Sequence, residues 1–200
     1  WLRGKGRGWL TAEYAMHPRA GNRRETREGR RAEIPGRSKE IERLVGRALR
    51  SIVLLDALGE RTVWIDCDVL QADGGTRTAS VTGGFVALAM ALTKLAGRER
   101  PALLRDTIAG VSIAWDGQKA LLDPCYVEDR DAGFDLNVVA TGGGALAEVQ
   151  GTAEGPPLAR PTVDAMLKLA LDGTSTLAAL QKEALGRAGV DLKTLLPHKP

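Results

Sequence analysis

The segment Asp66–Ser80 constrains the fold more than any other part of this sequence, because it joins a strand pattern to a helix through two glycines. Residues Thr62–Leu70 alternate apolar and polar side chains, as a strand with one buried face does. Gly74-Gly75 then forms a turn, and a helical pattern follows it from Thr76 or Ala79 to about Leu95. A helix N-terminus carries unpaired N–H donors and partial positive charge, which attract oxyanions. The segment predicts an anion site, most often for phosphate, or an ordinary strand-to-helix turn.

Strand and helix patterns alternate in the rest of the chain, which predicts an α/β fold. The expected elements are a strand at 8–16, helices at 38–59 and 161–186, and hairpins at 108–122 and 136–151. Ser38 is the expected N-cap of the first helix, and Gly59 is expected to end it. Strand-helix-strand units mixed with hairpins indicate a βαβα order, with packed helices on a mixed sheet.

We expect one domain over residues 1–186. Residues 20–36 contain few apolar side chains and are expected to form a basic mobile loop. Residues 187–200 have weak periodicity and two prolines, so we expect a loosely held C-terminal tail.

Charge is distributed unevenly along the chain. The first 50 residues hold 14 Lys/Arg and 6 Asp/Glu, whereas the whole chain has a formal net charge of only +3. A basic segment joined to an acidic remainder indicates a polyanion-binding face and a separate carboxylate-rich site, although a solvated basic loop is the alternative. Aromatic residues make up 4% of the chain, so contacts with nucleic acid would depend on phosphates rather than on base stacking.

The two cysteines and the apolar runs indicate the compartment. No apolar run approaches the roughly 20 residues that a membrane-spanning helix needs, so no membrane is expected as a partner. Cys67 and Cys125 lack metal-ligand spacing and lie in strand-like contexts. We expect both to be reduced, partly buried thiols, as in a cytoplasmic protein.

A second cluster of chemistry-bearing residues lies at Glu128–Asn137, where four carboxylates fall within eight residues. Carboxylates repel one another, so a cation usually lies among them unless water solvates them fully. Mg²⁺ commonly takes one or two carboxylates together with waters and phosphates, whereas the lack of His or Cys disfavours zinc. An acidic turn in water is the alternative. Together, a phosphate site, metal-binding carboxylates and a basic loop indicate phosphoryl transfer.

The sequence resembles ribonuclease PH in five segments that follow in register from Trp1 to Leu185. These segments are Gly4–Tyr14, Glu40–Arg50, Asp66–Ser80, Tyr126–Asp129 and Glu148–Gly155. The resemblance covers nearly the whole chain but not the whole family domain, whose members begin earlier. Since the chain starts at Trp1 without Met, we expect it to lack the first strands of the family.

The resemblance implies a phosphate-dependent 3′→5′ exoribonuclease, a tRNA nucleotidyltransferase that trims tRNA precursors and other RNA 3′ ends. In such enzymes inorganic phosphate attacks the terminal phosphodiester and releases a nucleoside diphosphate. The resemblance also implies the ribosomal protein S5 domain 2-like fold, Mg²⁺ as cofactor, and a ring-shaped homo-hexamer of three dimers. The alternative is a non-catalytic RNA-binding subunit of an exosome-like ring. Such subunits tend to lose the phosphate-site arginine or the acidic pair, and this chain retains both.

The resemblance assigns the phosphate site to four residues. Gly75, Thr76 and Arg77 are implied to hold the attacking phosphate. Arg37 is implied to reach it from the loop before the first helix. Two arginines and a helix N-terminus would offset the repulsion between phosphate and the anionic diester.

The same resemblance assigns the acidic pair and the RNA-binding loop. Asp129 and Asp135 match the carboxylates of the active site, where Mg²⁺ is expected. Either they hold this cation, or one of them is the general acid that protonates the leaving 3′ oxygen. Arg19, Arg24 and Arg27 match loop arginines that grip the RNA.

Two positions depart from the family pattern. The family usually has a Gly-Gly-Arg-Thr type sequence where this chain reads Ile34–Ser38, and we expect Pro35 to restrict the backbone before Arg37. Arg130 stands where the family usually has Ser. We expect this extra cation either to lower the pKa of Asp129 or to compete with the metal.

Overall fold

The computed structural model describes residues 2–27, 30, 35–95 and 102–197. Its strands and helices, in chain order, are β1 Trp9–Met16, α1 Gly36–Ile52, α2 Leu55–Leu58, β2 Thr62–Val69, α3 Thr76–Thr93, β3 Ile108–Trp115, β4 Ala120–Leu122, α4 Tyr126–Arg130, β5 Phe134–Thr141, β6 Leu146–Ala153 and α5 Arg160–Arg187. A 3₁₀ turn follows at Leu192–Thr194. This order confirms the predicted α/β class.

Across the described residues the strands form two separate sheets rather than one mixed sheet. Strands β1 and β2 are parallel neighbours, and an antiparallel sheet has the order β4-β3-β5-β6. The division follows from α3, which packs against β2 of the parallel pair and against β3 of the antiparallel sheet. Its first turn therefore lies close to both sheets.

The main core fills the space between the parallel pair and helices α1 and α3. Leu10, Ala12 and Tyr14 alternate along β1 toward this core, as the period of a strand requires. Leu49 of α1 and Phe85 of α3 are fully buried against them. Full burial of one such side chain contributes about 1.5–3 kcal/mol.

The antiparallel sheet has one apolar and one polar face near its centre. Val111 and Ile113 of β3, with Leu136 and Val138 of β5, pack against Met166 and Ala170 of α5 in a second core. Because successive side chains point to opposite faces, the residues next to them along each strand lie on the other face. They are Ser112 of β3 and Asp135 and Asn137 of β5. The sheet therefore presents three polar side chains together on the side where α3 begins.

Helix α1 differs from the prediction at both ends. Pro35 is its N-cap, with φ −54° and ψ 140°, so Ser38 lies inside the helix and is buried. Proline suits this place because a helix start does not use its missing N–H. The helix ends at Ile52, since Val53 forms a bridge with Leu104. Gly59, with φ +66°, ends the short α2 instead.

The prediction of a loosely held tail is wrong for its first part. Val190 and Leu192 belong to the main core, and Leu195 is fully buried in it. The Leu195 carbonyl accepts hydrogen bonds from the N–H groups of Leu103 and Leu104, both at 2.9 Å. Three apolar side chains close the end of the core here, although they follow no helical or strand period.

Both cysteines are free, but their environments differ. Cys67 is half-buried in β2, as expected. Cys125 is exposed, because it begins the helix α4 rather than lying in a strand.

We expect Leu195→Ala to lower the free energy of unfolding by about 2–5 kcal/mol, because it opens a cavity in the core. Leu180→Ala is the matched control, since Leu180 is 54% exposed on α5 and its truncation should change stability by less than about 0.5 kcal/mol. Urea unfolding followed by circular dichroism measures both. Equal stability of the two variants would contradict the packing of the tail.

Candidate active site

A polar cleft of about 330 Å³ opens where the start of α3 faces α4 and β5. It is lined by Arg37, Gly75, Thr76, Arg77, Ser112, Asp129, Arg130, Ala132, Asp135, Asn137 and Glu154. All four residues assigned to phosphate and both assigned carboxylates are among them. The fold therefore brings together two groups of residues that lie far apart in the sequence.

The glycine turn at the start of α3 requires both of its glycines. Gly75 is the N-cap of α3 and has φ +70°, in the left-handed region that side chains disfavour. Gly74 lies so close to the neighbouring loop that a Cβ atom would collide with the carbonyl oxygen of Pro124. Substitution at either position would displace the N-terminus of α3 from the cleft.

Asp73 joins this turn to the helix that carries Asp129. Its Oδ1 atom accepts a hydrogen bond from the Gly74 N–H at 3.0 Å and another from the Tyr126 N–H. Glu128 Oε2 accepts from the Cys125 N–H at 2.8 Å and so closes the first turn of α4. The sequence pattern predicts an acidic turn or a metal cluster here, and α4 itself was missed because it has only five residues.

Thr76 and Arg77 are held by side chains from distant elements. The hydroxyl groups of Thr76 and Tyr14 lie 2.9 Å apart and share a hydrogen bond. Arg77 Nη1 donates to Gln150 Oε1 at 3.1 Å and to Glu40 Oε1 at 3.4 Å. These contacts orient a guanidinium whose side chain is only 20% exposed. Neither Gln150 nor Glu40 is assigned a role from the sequence.

The pKa of Asp129 is raised above its ordinary value. Although the side chain is exposed at the mouth of the cleft, partial loss of water around the carboxylate raises the pKa most, and repulsion from Asp135 raises it further. The positive charges of Arg37 and Arg77 oppose this rise. Two arginines and two carboxylates are thus coupled within one cleft.

Arg130 does not have the predicted effect on the pKa of Asp129. Its guanidinium forms a two-point ion pair with Asp131, with Nε–Oδ1 and Nη2–Oδ2 distances of 2.7 Å. The charges that lower the pKa of Asp129 are those of Arg37 and Arg77 and not that of Arg130, so the predicted lowering by Arg130 is wrong. The physical reason is that the charge of Arg130 is already balanced by its neighbour. Whether Arg130 competes with a metal remains a prediction.

Ser112 and Asn137 line the cleft, and sequence reasoning missed both. Ser112 Oγ donates to Asn137 Oδ1 at 2.8 Å, and Asn137 Nδ2 donates to Asp135 Oδ2 at 3.2 Å. A signal was available, because Asn137 follows Asp135 by two residues and so shares its face of a strand. Ser112 is the one hydroxyl in an otherwise apolar strand.

Two carboxylates of the cleft have the oxygen ligands that Mg²⁺ prefers. Asp135 Oδ1 is buried and has no hydrogen-bond partner among the described residues, which is costly unless a cation or a water molecule approaches it. Within the same described ranges, no group of three or more His, Cys, Asp or Glu side chains is arranged to hold a metal. Mg²⁺ needs only one or two carboxylates when waters and phosphates complete its shell. Asp129 and Asp135 therefore fit this ion.

The three loop arginines lie outside the cleft. Arg19, Arg24 and Arg27 are exposed in the segment after β1, and none of them is a lining residue in the described part of the chain. The segment is nevertheless attached beside the glycine turn, since the Ala72 N–H donates to the Ala20 carbonyl at 2.7 Å. Their contact with RNA stays a prediction. Residues 28, 29 and 31–34 of the expected mobile loop fall outside the described residues.

Comparison with known proteins identifies the family to which the chain is similar. Residues 2–93 match the model of the 3′ exoribonuclease family, domain 1, and residues 106–173 match domain 2 of the same family. Ribonuclease PH of Moorella thermoacetica is 54% identical over 187 residues, which cover 92% of this chain and 75% of the relative. Ribonuclease PH of Bacillus subtilis is 50% identical over 195 residues, covering 96% and 80%.

Solved structures share the fold at low sequence identity. Rrp46 of rice (Oryza sativa) superposes with a TM-score of 0.71 at 15% identity, covering 90% of this chain and 75% of its own. A chain of the Archaeoglobus fulgidus exosome with RNA bound to the active site gives 0.69 at 22% identity, covering 86% and 70%. These neighbours confirm the expected fold. The chain therefore belongs to the 3′ exoribonuclease family, as a phosphorolytic 3′→5′ exoribonuclease of the ribonuclease PH type.

Proposed function

We propose that this exoribonuclease trims the 3′ ends of tRNA precursors, with inorganic phosphate bound at Gly75, Thr76, Arg77 and Arg37 as the nucleophile. The observation that carries this proposal is the single cleft that holds these four residues beside Asp129 and Asp135. A phosphate oxygen attacks the terminal phosphorus and the P–O3′ bond breaks. The products are a nucleoside diphosphate and an RNA shortened by one nucleotide.

The phosphate residues lower the barrier by positioning and by charge. The first N–H groups of α3 have no partners within the helix and are available to phosphate oxygens at its N-terminus. Arg77 is preoriented by Gln150 and Glu40, so little side-chain entropy remains to be lost when phosphate binds. Arg37 adds a second positive charge that offsets repulsion between the two anionic reactants.

The carboxylates serve the leaving group. Asp129 and Asp135 would hold Mg²⁺, which when bound supplies positive charge against the charge that develops on the transferring phosphoryl group. The leaving 3′ oxygen also needs a proton. In the alternative in which Asp135 holds the cation without Asp129, the raised pKa of Asp129 supports this residue as the donor, because the pKa of an effective general acid lies close to the working pH.

Assembly and location extend the proposal. We propose a homo-hexameric ring, supported by large apolar side chains that the single chain leaves exposed, among them Trp64 at 60% and Leu70 at 73%. We propose a cytoplasmic location, supported by the two free cysteines. No helix in the described ranges combines the length and apolarity that crossing a membrane requires.

A non-catalytic subunit of an exosome-like ring is the other candidate, since one structural neighbour is a chain of an exosome. The identity of that neighbour to this chain is low, and the cleft retains Arg77 and both carboxylates. Incubating the protein with a 3′-extended tRNA precursor, with and without phosphate, separates the candidates. We expect nucleoside diphosphates only when phosphate is present. Equal degradation without phosphate would contradict phosphorolysis, and no degradation in either case would favour the non-catalytic subunit.

We expect Arg77→Ala to lower kcat for phosphorolysis by roughly 10²–10³-fold, as loss of one preoriented charged donor does. RNA binding should change little, because this arginine holds phosphate rather than RNA. Arg160→Ala is the matched control, since Arg160 is exposed on α5 with its side chain 91% accessible. Phosphate-dependent release of nucleoside diphosphate measures activity, and filter binding measures RNA affinity. Wild-type turnover in Arg77→Ala would remove this residue from the phosphate site.

We expect Arg24→Ala to weaken RNA binding and to reduce the slope of log Kd against log salt by about 0.7 if one single-strand phosphate contact is lost. Arg187→Ala, at the far end of α5, serves as the control and should leave the slope unchanged. Fluorescence anisotropy at several salt concentrations gives the slope. An unchanged slope in Arg24→Ala would show that this arginine does not contact RNA phosphates.

We expect Asp129→Asn to stabilise the metal-free protein at pH 7–8 while it lowers activity. A carboxyl group whose pKa is raised in the fold contributes stability below its unfolded pKa of about 3.9, and this contribution is lost as pH rises through the folded pKa. Asparagine carries no charge to be penalised, so the gain should shrink toward acidic pH. Urea unfolding in EDTA, from acidic pH to pH 8, measures the difference in stability between the variant and the wild type. A variant that is less stable than wild type at neutral pH would contradict the prediction.

A further inference from the structure

We propose that Asn137, held in turn by Ser112, is a positioning residue that orients the Asp135 carboxylate so that its Oδ1 atom is available to a divalent cation. Neither Ser112 nor Asn137 is assigned to the reaction itself. The inference deepens the proposed function, because it rests on the cation role proposed for Asp135. The inference states which oxygen of the Asp135 carboxylate is available to a cation and which contacts keep it available.

The strand register places the three residues side by side. Ser112 of β3 pairs directly with Asn137 of β5, and Asp135 lies two residues before Asn137 on the same face. Ser112 is 5% exposed and Asn137 is 7% exposed. Their hydrogen bonds, at 2.8 Å and 3.2 Å, form a continuous path from the hydroxyl to Asp135 Oδ2.

Donor and acceptor chemistry allows only one orientation of this path. An ionised carboxylate accepts but cannot donate, so the amide must present its NH₂ group to Asp135 and its carbonyl to Ser112. The single hydroxyl proton of Ser112 is then committed to Asn137. Reversal of the amide would direct two acceptors at each other, which costs roughly 1–3 kcal/mol for each buried group left unpaired.

The path continues to the first turn of α3. Thr78 Oγ1 lies 3.0 Å from Ser112 Oγ and donates its proton to the Gly75 carbonyl at 2.9 Å. That carbonyl also accepts the Ala79 N–H at 2.9 Å. The helix turn that forms the phosphate site is thus connected to the carboxylate on β5.

The consequence is an asymmetric carboxylate. Asp135 Oδ2 is engaged by Asn137, whereas Oδ1 is buried and has no partner among the described residues. A carboxylate that is restrained at one oxygen presents the other in one direction, which is how outer partners orient metal ligands. The unpaired Oδ1 is the group that a cation would satisfy.

Variants that remove polarity without removing volume test this proposal. Asn137→Leu keeps the approximate shape of the side chain but loses the donor to Asp135. Gln181→Met is the matched control: Gln181 is also buried, at 3% exposed, and its Nε2 donates to the Thr82 and Ile108 carbonyls away from the carboxylates. Ser112→Ala removes the hydroxyl, and Ser112→Thr restores it. Melting temperature reports stability for all four variants.

Two readouts distinguish positioning from packing. Electron paramagnetic resonance measures Mn²⁺ binding in the absence of RNA and phosphate, and steady-state kinetics with Mg²⁺ separates kcat from KM for phosphate. We expect Asn137→Leu to weaken Mn²⁺ binding and to lower kcat, each by roughly 10–100-fold, with KM for phosphate unchanged. Ser112→Ala should show the same defects to a smaller degree, and Ser112→Thr should recover. Gln181→Met should lose thermal stability alone.

The proposal and the proposed function fail in different ways. Wild-type Mn²⁺ affinity in Asn137→Leu, or an equal loss of affinity in Gln181→Met, would overturn the positioning role. Absence of Mn²⁺ binding by the wild type would overturn it as well, whatever the rate of phosphorolysis. A different result would separate the two. If the wild type binds Mn²⁺ and Asn137→Leu does not, the positioning role is supported. If RNA degradation in the same experiments proceeds equally well without phosphate, the proposed function is contradicted.

Discussion

The lack of side chains at Gly74 and Gly75 is the constraint on which the cleft depends. Gly75 adopts a positive φ to start α3, and Gly74 leaves no space for a Cβ atom beside Pro124. Because the turn packs against the loop before α4, Asp73 reaches the N–H of Tyr126 and joins two elements distant in sequence. The N-terminus of α3, with its free donors and partial positive charge, is thereby placed opposite the carboxylates.

The two faces of the antiparallel sheet have different roles, because side chains alternate along each strand: one face packs in the core and the other faces the cleft. The face toward α5 is apolar and buries Ile113 and Leu136, which supplies part of the folding free energy. The opposite face carries Ser112, Asp135 and Asn137, where burial costs free energy unless each polar atom finds a partner. All but one of their side-chain hydrogen-bonding atoms that are buried do so, and the exception is Asp135 Oδ1. The one unsatisfied atom lies where the reaction is proposed to take place.

Opposite charges in the cleft are coupled without cancelling. Arg77 is shared with Glu40 and Gln150, while Arg37 and Arg77 together lower the pKa of Asp129 less than burial and Asp135 raise it. The ionised form of the Asp129 carboxylate is therefore less stable in the folded chain than it would be in water. Such a group is a cost to stability and an advantage to a site that must bind a cation or give up a proton.

Local patterns in the sequence were enough to predict the strand-turn-helix unit at Asp66–Ser80, both hairpins and the long C-terminal helix, because period and turn chemistry act over a few residues. The resemblance to a family assigned the phosphate-binding residues and the two aspartates, and the structure brings them into one cleft. Tertiary structure alone decided that β-strands form two sheets, that Leu195 is buried, that Arg130 pairs with Asp131, and that Asn137 contacts Asp135. Each of these depends on which groups compete for a partner or for burial once the chain has folded, and that competition is not encoded in the spacing of residues.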